Sequence, residues 1–416
     1  MNLCHLLVLA LAGTCGVVPL GHAAEPLRLE EAVSRALSSH PAVAAESAEL
    51  QAVQARAGRE ALPAPYVLGG DLENVGGTGA LSGIHSAETT LRVSRVLELG
   101  GKRAARQALG DAEIARQQYR ADVARIEIAS RTATRFIEVL ADQKRFDAAH
   151  ERVRLAERTR REVAAWVAAA RNPESDLRAA EIAVAEAELE REHTEHELAS
   201  AKVTLSSTWG ALTPDFEAVA GELDALPEMP SFEDLSARLP MGIEQKAAAL
   251  EAETIVARRR AAQASAKPDL SVSLGVRRFE GVDDQGLVMS VSVPLGSRPR
   301  SVFSVSEADA QLAALDARRE AQRLERHQAL FEKYQELNHA RTEVEMLRTR
   351  MRPKAEQALA FTSRGFEAGR FSFQQVALAQ STLFALRERS VDAAARYHTL
   401  LVEVERLAAV APESAP

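Results

Sequence analysis

Two histidines three residues apart are the side chains of this sequence that most readily suggest metal chemistry. His193 and His196 would lie on one face of a helix, at a spacing that can hold zinc or copper. The surrounding segment 188–197 is rich in glutamate, which is typical of a solvated helical face. We therefore interpret the pair as solvated residues and predict no metal site, with a two-histidine metal site as the alternative.

Other patterns that carry chemistry are missing from the sequence. It contains no Gly-x-Ser-x-Gly elbow and no phosphate-cradling loop. Both cysteines, Cys4 and Cys15, lie in an apolar N-terminal segment, so cysteine nucleophiles and thiolate metal sites are not expected in the rest of the chain. The sequence predicts neither an enzyme nor a cofactor-binding protein.

One hexapeptide combines a carboxylate, two glycines and two basic residues where a strand should meet a helix. Gly100 and Gly101 permit a sharp turn after Glu98. Lys102 and Arg103 then occupy the first helical turn, where the helix dipole favours acids. This placement indicates a partner outside the helix, either lipid headgroups or a neighbouring carboxylate. Simple solvation at a membrane rim is the alternative.

Four segments of about ten residues alternate between apolar and small or polar side chains. They are residues 66–75, 89–97, 268–278 and 286–295, joined in pairs by glycine-rich loops. Strands with one apolar and one polar face are typical of outer-membrane barrels. The alternative is a pair of amphipathic hairpins on a soluble core.

The alternation divides these strands into two sets of side chains. The polar set would face a lumen and contains Arg92, Ser94, Ser271, Ser273 and Arg277. The apolar set would face lipid and contains Leu91, Val93, Leu270, Val272, Leu274, Val291 and Val293.

Very long helices follow each pair of strands. Residues 101–170 contain no proline, and their apolar positions recur every 3.5 residues on average, which is coiled-coil spacing. Residues 174–210 form the antiparallel partner, and 301–364 and 372–408 repeat the arrangement. Pro353 should kink or break the third of these helices.

The chain therefore consists of two copies of one unit of helix, two strands and two long helices. The first copy spans 24–211, beginning with a helix over 27–62, the linker spans 212–232, the second copy spans 233–411, and a tail follows over 412–416. The closest match lies 199 residues apart, around the turns between the long helices. The predicted fold class is mainly α with a small β part.

The N-terminus and the overall composition narrow the cellular setting. Residues 1–23 resemble a cleaved secretory signal, although lipidation of Cys15 remains an alternative. No later stretch is long and apolar enough for a transmembrane helix, so a membrane span would consist of strands. The net charge of −8 is spread along the chain without a basic stripe, so no nucleic-acid partner is expected.

Four strands cannot close a barrel, and an open edge in hydrocarbon leaves backbone groups unsatisfied. The coiled-coil helices also need partners on both flanks. Both considerations indicate a ring of identical chains.

The sequence from residue 24 onward resembles the TolC-like outer-membrane efflux channel family. Residues 27–32 with His40 and Pro41 resemble the start of that family, and residues 98–103 resemble a signature of its heavy-metal, CzcC/CusC-like branch. The resemblance implies a homotrimer with a twelve-stranded transmembrane β-barrel above a periplasmic coiled-coil α-barrel. The implied function is a passive exit duct for heavy-metal cations in a Gram-negative outer membrane, in contact with its lipid.

The same resemblance implies a periplasmic membrane-fusion adaptor and an inner-membrane RND-type pump as partners. The turns between the long helices would be the adaptor-contact and gate tips, with simple helix-capping turns as the alternative. The tip residues are Arg171, Asn172, Asp176, Gly369, Arg370, Phe371, Ser372 and Gln375. Two other functions stay open: export of organic toxicants or type I protein secretion, and a soluble periplasmic coiled-coil scaffold.

Overall fold

The computed structural model describes residues 25–412, which are mainly helical and include one four-stranded sheet. The predicted signal peptide and both cysteines lie outside the described residues. No helix in this described range has the length and apolar character needed to cross a membrane. The elements are α1 Leu29–Ser39, α2 Pro41–Glu60, β1 Tyr66–Glu73, β2 Glu88–Leu97, α3 Lys102–Ala168, α4 Glu174–Ser207, α5 Phe232–Ser236, α6 Ile243–Ser265, β3 Leu270–Phe279, β4 Asp284–Ser292, α7 Ser297–Met346, α8 Arg352–Glu367 and α9 Phe373–Leu407.

The first predicted helix is two helices, because α1 ends before His40 and α2 begins at Pro41. A residue that precedes proline is disfavoured in the helical region, and His40 has an extended backbone with φ −65° and ψ 128°. The His40 Nδ1 atom accepts a hydrogen bond from the Ala42 amide at 3.0 Å and so caps the start of α2. The prediction of one continuous helix over 27–62 was wrong at this position.

The proline in the second long helix changes the hydrogen bonding without ending the helix. A π-helical turn, Leu347–Met351, joins α7 to α8 immediately before Pro353. Proline has no amide hydrogen and its ring clashes with the carbonyl four residues earlier, so the wider turn accommodates it. Pro353 therefore produces a π-turn and not a break.

Backbone contacts divide the chain into two compact units, and each unit takes segments from both sequence copies. Of the described residues, unit 1 contains 25–45, 122–243 and 323–412, while unit 2 contains Glu46–Ala121 and Glu244–Gln322. The sheet belongs to unit 2, and the turns between the long helices belong to unit 1. The two units are therefore not the two sequence copies, and the division into copies stays a prediction from the sequence.

Unit 1 has a core of interlocking helical side chains. Phe136 and Val139 of α3 pack in one buried cluster with Leu205 of α4 and Ala394 of α9. This cluster includes part of the predicted linker, because Val219 is buried in it. The Gln143 side chain exchanges two hydrogen bonds with the Val219 backbone, at 2.7 and 3.1 Å. The linker is therefore held to the helices along part of its length.

Unit 2 has a smaller apolar core between α6 and α7, formed by Ala248, Ile255, Ala308 and Leu315. Ala248 and Ile255 lie seven residues apart on α6, and Ala308 and Leu315 lie seven residues apart on α7. The two pairs pack against each other between the helices. The small alanine side chains allow close approach of the two backbones.

Candidate functional site: a two-faced sheet, its helical junction and paired hairpin tips

The four strands form one antiparallel sheet in the order β1-β2-β3-β4, and the register assigns every side chain to a face. Leu68 pairs with Val93, Val93 with Leu274, and Leu274 with Met289, so these four residues lie in one row on one face. The pairing of β2 with β3 joins the two sequence copies. β4 ends at Ser292 because Pro294 cannot continue the ladder, whereas the predicted strand extended to 295.

One face of the sheet is apolar and remains exposed in the single chain. Leu274 is 54% exposed and Leu287 is 76% exposed, so no other part of the chain covers them. The strand register puts the predicted lipid-facing residues on this same face, except Val293, which follows the end of β4. An uncovered apolar sheet face of this extent indicates contact with another protein or with lipid.

The opposite face is polar, and all five predicted lumen residues lie on it. Ser94 is directly opposite Ser273, and Ser271 is directly opposite Ser292. The Arg92 guanidinium lies 3.1 Å from the Asp71 carboxylate in the neighbouring strand.

Gly275 is the cross-strand partner of Arg92 and supplies the space that this large side chain needs. A Cβ atom on Gly275 would lie 2.5 Å from the Leu91 carbonyl oxygen and 2.9 Å from the Arg92 Cβ atom. A larger residue at position 275 would therefore force the two strands apart.

Arg277 is the centre of an ion-pair network on the polar face. Its guanidinium lies 2.8 Å from the Glu73 carboxylate and 2.7 Å from the Glu88 carboxylate, and it donates a 2.8 Å hydrogen bond to the buried Thr90 hydroxyl. Glu73 and Glu88 face each other directly across β1 and β2, where like charges destabilise a sheet. The arginine neutralises this repulsion. Asp71, Glu73 and Glu88 were not among the residues predicted from the sequence, although the parity of the predicted strand 66–75 puts Asp71 and Glu73 on this face.

At the glycine-rich junction after β2, residues before and at the start of α3 contact the segments that follow α2 and α6. Gly100 and Gly101 have φ values of +84° and +75°, which strain other residues. A Cβ atom on Gly100 would also approach the Lys267 side chain to 2.8 Å. The two glycines therefore allow both the turn and the close approach of the chain.

The basic residues of this junction have partners within the protein. The Lys102 ammonium lies 2.7 Å from the Asp269 carboxylate, and Arg103 donates a 2.7 Å hydrogen bond to the Ala61 carbonyl after α2. Arg106 donates two hydrogen bonds to Glu98, at 2.6 and 3.0 Å, and these bonds lower the pKa of the Glu98 carboxyl. Of the alternatives raised from the sequence, a neighbouring carboxylate is present at Lys102.

The two turns between the long helices have the same backbone geometry 199 residues apart. Ala170 and Gly369 both have left-handed φ values, +56° and +67°. The Arg171 amide donates to the Trp166 carbonyl at 2.9 Å, and the Arg370 amide donates to the equivalent carbonyl of Gly365 at 2.8 Å. The duplication seen in the sequence is therefore repeated in the hydrogen bonding of the turns.

The polar tip residues take part in local capping. The Asn172 amide donates a 2.8 Å hydrogen bond to the Asp176 carboxylate, and Ser372 and Gln375 form a reciprocal capping box at the start of α9. Phe371 covers Gly365, where a Cβ atom would lie 2.1 Å from the phenylalanine ring. Apart from Asn172 and Asp176, which are half-buried, the predicted tip residues are exposed.

An aromatic stack that the sequence analysis missed joins the two tips. Trp166 of the first hairpin and Phe366 of the second have ring centroids 4.5 Å apart and an interplanar angle of 15°. Val163, Phe373 and Val376 complete the apolar cluster around them. The two hairpin tips of one chain therefore form one packed unit.

The two histidines do not converge on a common position. His193 Nε2 lies 3.2 Å from Glu197, whereas His196 Nε2 lies 3.6 Å from Glu192. Both imidazoles are largely exposed. Within residues 25–412, no group of three or more potential metal ligands is close enough to hold an ion.

Comparisons with known proteins give the class to which this architecture belongs. Its fold matches a CusC crystal structure with a TM-score of 0.75 at 15% identity, covering 91% of each chain. It also matches the open-state outer-membrane channel MtrE of Neisseria gonorrhoeae with a TM-score of 0.74 at 15% identity, covering 94% of this chain and 93% of that one. No family model matches the sequence. The fold is that of outer-membrane efflux channels.

Curated relatives extend the similarity to the sequence. The chain is 29% identical to the cobalt-zinc-cadmium resistance protein CzcC of Cupriavidus metallidurans, over 92% of this chain and 90% of the relative. It is 28% identical to the nickel and cobalt resistance protein CnrC of the same organism, over 74% and 73%. In fold and in sequence the chain is therefore similar to TolC-like outer-membrane channels, whose helical part lies in the periplasm. The soluble periplasmic scaffold, the alternative from the sequence, is a different class of protein from these relatives and structural neighbours.

Proposed function

We propose that this chain is the exit duct of a tripartite efflux system that expels heavy-metal cations. The observation that carries the proposal is the similarity to CzcC along 92% of the chain, because that relative is named for resistance to cobalt, zinc and cadmium. CnrC, named for nickel and cobalt resistance, supports the same class of cargo. The channel itself is passive, and energy is supplied by an inner-membrane RND-type pump.

The sheet supports assembly as a homotrimer. β1 and β4 are edge strands, each hydrogen-bonded on one side within the chain. In hydrocarbon every unpaired backbone group costs several kcal/mol, so the edge of β4 would pair with β1 of the next copy. Three copies give a twelve-stranded barrel. The apolar face then contacts lipid, and the face that carries Arg92 and Arg277 lines the lumen.

The paired hairpin tips support docking of a periplasmic adaptor. Arg171, Arg370 and Phe371 project at the ends of helices whose position is fixed by the stack of Trp166 on Phe366. Exposed residues that are held in place by a packed aromatic cluster are suited to binding another protein. A ring of such tips in the trimer can also close the duct. The capping bonds of Asn172 and Ser372 keep the turns in shape.

A deletion strain tests the cargo. Its growth would be measured on zinc, cobalt, cadmium, nickel, copper and silver, with dyes and detergents in parallel, and with the wild-type gene returned on a plasmid. We expect sensitivity to one or more metals only, restored by the plasmid. Sensitivity confined to organic compounds would overturn the metal assignment in favour of organic export. A strain that also lacks the pump should be no more sensitive than either single deletion.

A further inference from the structure

The junction between β4 and α7 carries two arginines without the partners found at the first junction. Arg298 and Arg300 lie in the first turn and a half of α7, are exposed, and pair with no carboxylate in the described part of the chain. Lys102, in the first turn of the helix that follows the first pair of strands, has Asp269 at 2.7 Å. A cation near an exposed helix N-terminus costs about 0.3–1 kcal/mol, so an external anion beside Arg298 and Arg300 would be favourable.

Exposed apolar side chains lie within five residues of these arginines in the sequence, and Leu295 continues the alternation of the apolar face of the sheet. Leu295 is 94% exposed and Phe303 is 76% exposed, and Val302 is exposed beside Phe303. Exposed leucine and phenylalanine next to unpaired arginine are unfavourable in water. The same combination is favourable where an acyl layer meets phosphate groups, because the apolar side chains then contact acyl chains and the arginines contact phosphate.

The length of the strands puts this junction at the edge of a membrane. The apolar side chains of this face begin on β4 at Leu287, one row after the polar row of Arg278 and Gln285. From Leu287 to Leu295 the chain advances eight residues, or about 26 Å at 3.3 Å per residue. With the usual strand tilt of about 40° this distance spans about 20 Å, most of the apolar band of about 25 Å in outer-membrane barrels. Arg298 and Arg300 therefore follow directly after the hydrocarbon boundary.

We propose that Arg298 and Arg300 bind the phosphodiester of a glycerophospholipid in the periplasmic leaflet, while Leu295, Val302 and Phe303 contact its acyl chains. The inference rests on the proposed membrane orientation of the sheet. Arginine suits this ligand because its planar guanidinium donates two parallel hydrogen bonds to phosphate oxygens. The first junction has no equivalent capacity, since its basic residues are already engaged with Asp269 and backbone carbonyls.

The test measures lipid binding to the purified full-length protein in detergent. Native mass spectrometry would follow titration with phosphatidylglycerol for the wild type, for Arg298→Gln combined with Arg300→Gln, and for Arg318→Gln. Arg318 is a matched control because it is exposed on the same helix, has no described carboxylate partner, and lies about 27 Å from Arg300 at 1.5 Å per residue. We expect roughly five-fold weaker binding for each arginine removed and no change for the control.

Three results would overturn the inference. Equal lipid binding by the double variant and the wild type would show that Arg298 and Arg300 do not bind the lipid. Loss of oligomer with unchanged lipid binding would assign the two arginines to contact with the next copy of the chain. Displacement of the lipid by millimolar inorganic phosphate would assign the pair to free anions. Absence of the wild-type protein from outer membranes would instead contradict the proposed membrane orientation, so the two failures can be distinguished.

Discussion

A lysine in place of Leu274 would put a charge near the centre of the apolar face of the sheet. Leu274 lies four residues from Leu270 and four from Arg278, and each interval is about 10 Å across the membrane at 3.3 Å per residue and a tilt of about 40°. A lysine at this depth costs about 2–4 kcal/mol per chain in a lipid-exposed barrel strand. In water the change would be almost neutral, because Leu274 is 54% exposed in the single chain.

The neighbouring residue provides a matched control. Ser273 points to the opposite face, so Ser273→Lys adds the same charge to the polar surface. A cost of 2 kcal/mol per chain changes the folded-to-unfolded ratio about thirty-fold, and three copies in a trimer would multiply the effect. We therefore expect Leu274→Lys to reduce heat-modifiable oligomer in isolated outer membranes severely, while Ser273→Lys yields near wild-type amounts.

The assay compares the two variants by unheated gel electrophoresis of membrane fractions at matched expression. Equal yields would refute the assignment of the apolar face to lipid. A loss with Ser273→Lys alone would reverse the two faces.

Three further predictions concern stability, each measured by thermal unfolding of the purified protein. Arg277→Met leaves two facing carboxylates without a counter-charge and should lower the free energy of unfolding by about 1–2 kcal/mol. Gly369→Ala should cost about 1 kcal/mol, because the position has φ +67° and a Cβ atom there meets no neighbour, while Ala170→Gly should stabilise the equivalent turn. Burial holds the pKa of His398 below its ordinary value of about 6.5, so the folded protein binds fewer protons than the unfolded chain just below that pH. Its contribution to stability is therefore present above pH 6.5 and lost as the pH falls through the lowered pKa, and His398→Gln should flatten this dependence.

Controls separate these effects from general damage. Neutralising Glu73 in the Arg277→Met background should restore part of the lost stability, and no restoration would contradict the charge argument. Destabilisation by Ala170→Gly would contradict the strain assigned to the left-handed turns. For the pH effect, an unchanged pH dependence of unfolding in His398→Gln would contradict the role assigned to the burial of this imidazole.

The predictable part of the fold is the part governed by local pattern. Strand parity separated the two faces of the sheet correctly, because side chains alternate with a period of two whatever the strands pair with. The two turns near Ala170 and Gly369 were recognisable because an alanine, a small residue and an arginine recur in the same order 199 residues apart. The split at His40 and Pro41 was equally local, and a stricter use of the proline rule would have found it.

The unpredicted part depends on contacts between distant segments. Arg277 meets Glu88 across 189 residues, and Trp166 stacks on Phe366 across 200 residues of chain. Charge pairs and aromatic stacks of this kind leave no periodic signal, since many arginines and carboxylates could pair equally well. The predicted adaptor and gate roles of the tips likewise concern a partner and stay predictions.

The sequence by itself determined most of the helical and strand segments, the two-faced character of the strands and the glycines of the junction, because these follow from backbone sterics and from side-chain period. Only the tertiary structure decided that β2 pairs with β3 across the two copies, that Lys102 is neutralised by Asp269, and that Arg298 and Arg300 are not neutralised by any described carboxylate. The physical reason is that a charge acts on whatever lies within a few ångströms of it. Which groups come that close depends on which distant segments the folded chain brings together.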